Sequence, residues 1–177
     1  MMSLRHQDWV IDIDYANGTG TGNVLWIMGL DGSFTMLTAG QYPWFSHQHD
    51  VEFTLGGMTS LTMFDNGNTR IAQDGGDSRG MVLNVDIPNM TVSWSFVQDV
   101  GVFSHALGSA QLLSNGDYMF LAGDVPFDVT RAYSRSKEYS TSGKLTYDQG
   151  NNYAAYRTFR VGNLYTPPNG AGANVAP

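Results

Sequence analysis

The sequence predicts an all-β protein, a partial β-propeller built of about two and a half four-stranded antiparallel blades. The first observation is an internal repeat, because three landmarks return in the same order 56 or 58 residues later. They are Phe45-Ser46-His47 and Phe103-Ser104-His105, Met63-Phe64 and Met119-Phe120, and Ser78-Arg79 and Ser134-Arg135. The second observation is that short segments with strand patterns are separated by turns, while no segment keeps a 3.6-residue period. A repeat of this length filled with strands is typical of propeller blades, and helix should be scarce.

The composition excludes several classes of protein. Hydrophobic residues make up 42% of the 177 residues and aromatic residues 12%, which is too much for a disordered chain. The formal net charge is −7 and there is no run of Lys or Arg, so nucleic acid is not expected as a partner. The absence of cysteine excludes disulfide and thiolate chemistry. No apolar run approaches the roughly 20 residues that span a bilayer, so no membrane partner is expected, and the N-terminus lacks a signal-peptide pattern.

The first unit is predicted to be half a blade, residues 3–30. Residues 5–14 end in alternating apolar and polar side chains, which is the period of a strand. Residues 15–22 are rich in Gly and Asn and favour a turn, and residues 23–29 form a second strand, so the pair is interpreted as an antiparallel hairpin. Residues 31–43 show no regular pattern.

Two whole blades are predicted to follow, at residues 44–98 and 102–149. The predicted strands of the first are 45–53, 61–64, 79–87 and 90–97, and those of the second are 109–113, 118–122, 135–141 and 144–147. Residues 71–77 are predicted to be a loop and residues 153–161 one further strand. The propeller domain is predicted to end at residue 165, and residues 166–177 to form a flexible tail. Because a propeller needs at least about four blades to close, the chain is expected to be the C-terminal part of a longer propeller. The alternative is a ring completed by further copies of the same chain.

Two histidines stand out as candidates for chemistry. A strand over residues 45–53 would put His47 and His49 on one face and Gln48 and Asp50 on the other. The innermost strand of a blade faces the central channel, and an imidazole acts as a nucleophile or proton donor near neutral pH. The alternatives are that one histidine is merely buried or at the rim, or that the pair shares a metal ion. A third ligand would have to come from the opposite face, so no metal site is predicted.

Other residues carry weaker signals. Arg70 follows Gly67-Asn68, a loop that can bring backbone N–H groups close to an anion, and its guanidinium group is suited to a tetrahedral oxyanion. The alternative for Arg70 is an ordinary surface arginine. Arg79 and Arg135 recur with the repeat and are predicted to form structural ion pairs. His6 lies at the start of a predicted strand and is a candidate to face the channel, and His105 is the repeat mate of His47.

A set of short motifs occurs in one order over most of residues 3–165. They are Arg5-His6-Gln7-Asp8, Gln48-His49-Asp50, Phe64-Asp65-Asn66-Gly67, Ser78-Arg79-Gly80, Gly108-Ser109-Ala110-Gln111 with Asn115-Gly116, and Tyr156-Arg157. In this set the chain resembles the arylsulfotransferase family of β-propellers. The resemblance implies a six-bladed ring with a polar central funnel, and transfer of a sulfuryl group from an aryl sulfate ester to a phenol through a sulfated histidine. It implies no phosphoadenosyl donor or other cofactor, and a periplasmic or secreted protein.

The resemblance also implies roles for particular residues. His49 matches a funnel histidine and Arg70 a funnel arginine. In the better-known bacterial members the sulfated histidine lies in the next blade after its Gly-rich loop, where residues 122–126 of this chain contain no histidine. His105 is therefore the expected substitute, so the predicted catalytic residues are His49, Arg70 and His105. His6, His47 and Asn66 are predicted to bind substrate. The alternative is a non-catalytic propeller that binds a ligand or takes part in assembly.

Overall fold

The computed structural model describes residues 1–54, 56–128 and 130–162, which form three sheets along the chain. Sheet 1 contains β1 (Met2–Leu4), β2 (Trp9–Ile13) and β3 (Val24–Met28) in that order. Sheet 2 has the order β4-β8-β7-β6-β5, with β4 (Thr35–Met36), β5 (His49–Phe53), β6 (Ser60–Asp65), β7 (Arg79–Asp86) and β8 (Thr91–Asp99). Sheet 3 has the order β12-β11-β10-β9, with β9 (Ala106–Leu112), β10 (Tyr118–Pro126), β11 (Ala132–Tyr139) and β12 (Leu145–Asn151). The helical pieces of the described residues are α1 (Asn68–Asp74) and two short 3-10 segments, Arg5–Gln7 and Ala16–Gly18.

The prediction of an all-β fold is confirmed. Within each sheet, strands that follow one another along the chain pair antiparallel, as expected where tight turns join them. The exception is the two-residue strand β4, which pairs parallel with β8 at the outer edge of sheet 2. The four strands predicted in each of the second and third units are present, and β1 and β4 are additional.

Four details of the predicted secondary structure are wrong. The strand predicted over residues 45–53 begins only at His49, and the strand predicted over residues 5–14 is preceded by the 3-10 segment Arg5–Gln7. The loop predicted over residues 71–77 is helical as far as Asp74, where α1 ends. The strand predicted over residues 153–161 is absent, and the predicted tail at residues 166–177 lies outside the described residues.

The three sheets pack face to face in sequence order. One apolar core joins sheet 1 to sheet 2 and includes Val10 and Trp26 from the first and Leu61 and Met81 from the second. A second core joins sheet 2 to sheet 3 around Phe64 and Phe120. The first strands of the sheets are neighbours, since β5 contacts both β1 and β9. Their connecting segments therefore meet on one side of the molecule.

Two glycines allow sheets 2 and 3 to approach closely. A Cβ atom at Gly80 on β7 would lie 2.3 Å from the ring of Phe120 on β10. A Cβ atom at Gly108 on β9 would lie 2.3 Å from the ring of Phe64 on β6. Phe64 and Phe120 are repeat mates, so equivalent aromatic rings occupy the space above a glycine on the neighbouring sheet.

We expect Gly80→Ala to lower the free energy of unfolding by about 1–3 kcal/mol, because the added methyl group overpacks the contact with Phe120. Gly150→Ala on β12 is the matched control, since a Cβ atom there meets open space and the loss should stay within about 0.5 kcal/mol. Urea unfolding followed by circular dichroism measures both. Equal unfolding midpoints for the two variants would contradict the expectation.

Both recurring arginines form ion pairs, as the repeat predicts. Arg79 lies against the fully buried Asp65, with Nε donating to Oδ2 at 2.9 Å and Nη2 at 2.8 Å from the same oxygen. Asp65 Oδ1 also accepts from the backbone N–H of Ser46 at 2.8 Å. The pair of Arg135 and Asp148 is partly exposed and bidentate, with both N···O distances at 2.6 Å. The same repeat position thus carries a buried pair in sheet 2 and an exposed pair in sheet 3.

Candidate functional site: a cluster of four histidines

The four histidines of the chain gather around Arg5, on the side where the first strands of the sheets meet. Arg5 Nη1 donates to His6 Nδ1 at 3.1 Å, and Nη2 donates to the carbonyl oxygen of His105 at 2.9 Å. Burial lowers the pKa of both His47 and His49, and the positive charge of Arg5 acts in the same direction. The rings of His6 and His47 lie 5.6 Å apart. All three sheets therefore contribute to this histidine cluster (His6, His47, His49 and His105).

His49 is the first residue of β5 and is half-buried. Its Nδ1 lies 2.7 Å from Asn66 Oδ1 and 3.2 Å from the carbonyl oxygen of His47. Burial lowers the pKa of His49, and its bond to Asn66 opposes this only in part. The imidazole is therefore neutral near pH 7, which is the form that can act as a nucleophile or base.

His47 precedes β5 and has a φ of 54°, so the predicted alternation of His47 and His49 along one strand is wrong. Asp8, which lies between the 3-10 segment and β2, holds this conformation, since its Oδ1 accepts from the backbone N–H of His47 at 2.6 Å. The same oxygen lies 2.9 Å from His47 Nδ1. Burial lowers the pKa of His47 more than Asp8 raises it. Asp8 is in turn fixed by Thr69, whose hydroxyl donates to Oδ2 at 2.8 Å.

A β-bulge at Asp50 breaks the regular pairing of β5. The register with β6 shifts between His49 and Glu52, and Asp50 has a φ of 52°. The bulge turns the Asp50 carboxylate toward sheet 3, where Oδ2 accepts from the backbone N–H of Ala110 at 3.0 Å. Burial raises the pKa of Asp50, and that N–H opposes the shift. Bulges commonly re-aim side chains beside functional sites.

His6 and His105 are the exposed members of the cluster. His6 lies in the 3-10 segment after β1, and the guanidinium group beside it can only donate, so His6 Nδ1 accepts and the ring proton of its neutral form lies on Nε2. The ring of His105 is 63% exposed, and its Nδ1 is 3.6 Å from Asp124 Oδ2. Its backbone carbonyl accepts a bond from Asn68 Nδ2 at 3.0 Å. The main chain of His105 is thus held while its ring faces solvent.

Asn66 follows β6 and is fully buried. Its Nδ2 donates to the carbonyl oxygens of Ser104 and Leu107, both at 2.9 Å. The sequence predicted Asn66 as a substrate-binding residue, and the structure brings it against His49 from beneath the surface. Its influence on a substrate would therefore pass through His49.

Arg70 lies on α1 and is buried, with 8% of its surface exposed. Its Nη2 donates to the carbonyl oxygen of Asp77 at 2.6 Å, and its Nε lies 3.7 Å from Asp65 Oδ2. The structure thus places the guanidinium group of Arg70 beside the buried carboxylate that also pairs with Arg79.

Arg157 is a second cation whose charge lowers the pKa of His49. Its Nη1 lies 3.0 Å from Asp50 Oδ1, its side chain is 44% exposed, and its guanidinium group lies 5.4 Å from the ring centre of Tyr156. Arg5 and Arg157 were not among the predicted site residues. The signal for them was present, because both belong to the motifs that carry the family resemblance.

Arg157 reaches the cluster on the segment 155–160, which we call the strap. The strap lies along sheet 3, where Ala155 N–H donates to the carbonyl oxygen of Gly123 at 2.8 Å. Ser109 and Gln111 on β9 bind its backbone on both donor and acceptor sides, at Thr158 and Arg160 respectively. Side chains, rather than a neighbouring strand, satisfy much of this backbone, which explains why the predicted strand is absent.

Two features are absent from the described residues. No group of three or more His, Cys, Asp or Glu side chains there is arranged to hold a metal ion. No helix of this part of the chain has the length and apolar character needed to cross a membrane.

The lowered pKa values predict how stability depends on pH. Below the ordinary histidine pKa of about 6.5, His47 and His49 bind protons in the unfolded chain more readily than in the folded chain. The free energy of unfolding should therefore fall as the pH drops from about 6.5 through the folded pKa values, and stay level with respect to these groups above it. Urea unfolding between pH 5 and 8 measures this.

The variant His49→Gln should show a smaller loss of stability on acidification than the wild type, since one of the two groups is gone. His105→Gln is the matched control, because the ring of His105 is mostly exposed, and its profile should follow the wild type. The same loss of stability in His49→Gln and in the wild type would contradict the assignment.

Comparison with known proteins gives one result at the level of the family. A family model described as Arylsulfotransferase (ASST) matches residues 1–157. No curated protein matches the chain. The matched region contains β1 to β12, the four histidines, Arg5 and Arg157. The chain belongs to the arylsulfotransferase family.

Proposed function

We propose that the chain transfers a sulfuryl group from an aryl sulfate ester to a phenolic acceptor, through a covalent intermediate on Nε2 of His49. The observation that carries the proposal is the hydrogen bond from His49 Nδ1 to Asn66 Oδ1. An amide oxygen only accepts, so the imidazole proton lies on Nδ1 and the lone pair lies on Nε2. Membership of the arylsulfotransferase family supports the substrate class.

In the first step the lone pair of His49 Nε2 attacks the sulfur atom of the donor. The bond between sulfur and the aryl oxygen breaks, and its electron pair leaves on the phenolate oxygen. The imidazole becomes a sulfated imidazolium, and its Nδ1–H continues to donate to Asn66. His6 supports the departure of the phenolate, because its Nε2–H can donate a hydrogen bond to the leaving oxygen, which departs as the anion.

In the second step the hydroxyl oxygen of the acceptor phenol attacks the sulfur atom. The bond between sulfur and Nε2 breaks, its electron pair returns to the imidazole, and the acceptor proton passes through water to the phenolate released in the first step. His49 and His6 are then in their starting protonation states. The reaction is therefore a ping-pong exchange that consumes no cofactor.

Arg5 and Arg157 are the cations proposed to hold the sulfonate oxygens. Both act electrostatically on His49, and a guanidinium group offers several N–H donors to a tetrahedral oxyanion. Tyr156, beneath the guanidinium group of Arg157 and 64% exposed, offers an aromatic face to an aryl substrate. Arg70 and His105, the other predicted catalytic residues, have supporting roles in this mechanism. Arg70 lies beside Asp65, and the carbonyl oxygen of His105 accepts a hydrogen bond from Arg5.

We expect Arg157→Ala to raise KM for the donor by roughly 10–100-fold, which is the value of a lost hydrogen bond to a charged group. Steady-state release of 4-nitrophenol from 4-nitrophenyl sulfate measures it. Arg131→Ala is the matched control, because Arg131 also lies over an aromatic ring, that of Phe127, and pairs with an aspartate outside the histidine cluster. Equal KM values for the two variants would remove Arg157 from substrate binding.

The covalent step is tested by mixing the protein with 4-nitrophenyl sulfate in the absence of an acceptor. We expect a rapid release of about one 4-nitrophenol per active site. A peptide containing His49 should then carry one added SO₃ group by mass spectrometry, and phenol should remove it. Sulfation of His105 instead, or turnover without a burst, would contradict the proposed role of His49.

We propose further that the three sheets are successive blades of a six-bladed propeller, closed by missing blades or by further copies of the chain, in a periplasmic or secreted protein. The support is the face-to-face packing of the sheets and the contact of β5 with both β1 and β9. Light scattering after size exclusion measures the mass in solution. A discrete dimer or trimer supports a ring that is closed by further copies of the chain. A monomer at all concentrations contradicts closure by further copies.

A further inference from the structure

The amide group of Asn66 can adopt only one orientation. Its Nδ2 lies 2.9 Å from two backbone carbonyl oxygens, those of Ser104 and Leu107, and a carbonyl oxygen only accepts hydrogen bonds. The NH₂ group must therefore face β9, which leaves Oδ1 facing His49 Nδ1 at 2.7 Å. Reversing the amide would place its oxygen against the two carbonyl oxygens and break both of those bonds.

We infer that Asn66 is a positioning residue that holds the imidazole proton of His49 on Nδ1 and so keeps the lone pair on Nε2. The inference rests on the proposed function in taking His49 as the nucleophile, and it adds the device that prepares this residue. Asn66 has an exposed fraction of 0%, so it acts on the substrate through His49.

The orientation of Asn66 is set by sheet 3, although Asn66 and His49 both belong to the region of sheet 2. Leu107 has a φ of 59°, a left-handed conformation that is strained for a branched residue, and in this conformation its carbonyl oxygen reaches Asn66. Gly108 follows and lets β9 approach the ring of Phe64. The packing of sheet 3 against sheet 2 therefore affects the imidazole of His49 through the buried amide of Asn66.

The other groups around His49 do not replace this bond. Arg5 and Arg157 act on it as positive charges from the 3-10 segment and from the strap, and the carboxylate of Asp50, next along β5, is engaged by Arg157 and by Ala110 N–H. The second acceptor near Nδ1 is the carbonyl oxygen of His47, at the longer distance of 3.2 Å. Loss of Asn66 leaves only that weaker contact among those described for Nδ1.

Nitrogen-15 NMR of the full chain with labelled histidine tests the inference without any substrate. Couplings between ring nitrogens and carbon-bound protons distinguish the two neutral tautomers. We expect the proton of His49 on Nδ1, and in the same spectrum the proton of His6 on Nε2, because Arg5 donates to His6 Nδ1. Each signal is assigned from the matching His→Gln variant. A wild-type spectrum with the His49 proton on Nε2, or with a mixture of tautomers, would overturn the inference.

Two variants separate positioning from a merely structural role. Asn66→Ala should give a mixture of His49 tautomers and lower kcat by on the order of 100-fold, with KM little changed. Asn66→Asp places a carboxylate beside the imidazole and should move the acid limb of the kcat/KM profile to higher pH. A loss of stability alone, with the tautomer and the pH profile as in the wild type, would overturn the inference.

Asn68→Ala is the matched control. It removes a 3.0 Å bond from an asparagine amide to the carbonyl oxygen of His105 at the same junction, without a contact to His49. Its tautomer and pH profile should be those of the wild type. If the chain shows no transferase activity while His49 carries its proton on Nδ1, the proposed function fails and the positioning role stands. Should the Asn66 variants not fold, the wild-type spectrum decides.

Discussion

Replacement of His49 by alanine is expected to lower kcat for transfer from 4-nitrophenyl sulfate to phenol by on the order of 10⁴-fold. The variant lacks the lone pair that attacks sulfur, and no other group lies at the same position between Asn66 and the two cations. The rate of 4-nitrophenol release, followed by absorbance with phenol in excess, measures the loss.

Chemical rescue distinguishes a missing nucleophile from a damaged fold. Imidazole added to His49→Ala should restore part of the turnover, because it can occupy the space left by the side chain and receive the sulfuryl group. Circular dichroism of the variant provides the control for folding. Retention of the wild-type rate by His49→Ala would exclude His49 as the carrier and would leave His105 as the next histidine to test.

The largest expected change in stability comes from Asp65→Asn. The carboxylate has no exposed surface and lies 2.8 Å from Arg79 and 3.7 Å from Arg70, so its neutralisation removes the negative charge that both buried guanidinium groups face. Breaking one side of a buried pair typically costs about 3–5 kcal/mol, and we expect a loss of this size. Urea unfolding monitored by tryptophan fluorescence measures it.

The repeat supplies a control for this experiment. Asp148 pairs with Arg135, the repeat mate of Arg79, but this pair is partly exposed, so Asp148→Asn should cost no more than about 1 kcal/mol. Similar losses for the two variants would show that burial does not determine the energetics of the pair at Asp65.

The sheets could be predicted from the sequence because their signals are local. Asn115-Gly116 and Ser142-Gly143 mark turns, and the segments on either side of them pair as neighbouring strands of sheet 3. The meeting of the histidines could be anticipated for a related reason. His47 and His105 are repeat mates that precede the first long strands of successive sheets, so the packing of the sheets brings them to the same side.

What could not be predicted depends on contacts between distant parts of the chain. Asp8 captures the backbone of His47 and ends the alternation that the local pattern favours. Helix α1 has only seven residues and no apolar periodicity, so its sequence does not signal a helix. Its formation accompanies the burial of Arg70 against Asp65. Arg5 and Arg157 come from opposite ends of the chain, and no spacing rule relates them to His49.

The strap makes the position of Arg157 depend on the side chains of β9. Its backbone is held by the side chains of Ser109 and Gln111, so a change at either position loosens Arg157 while every sheet hydrogen bond remains intact. Substrate preference in such a protein can consequently diverge through two polar residues on the edge strand β9, with little loss of stability in the sheets.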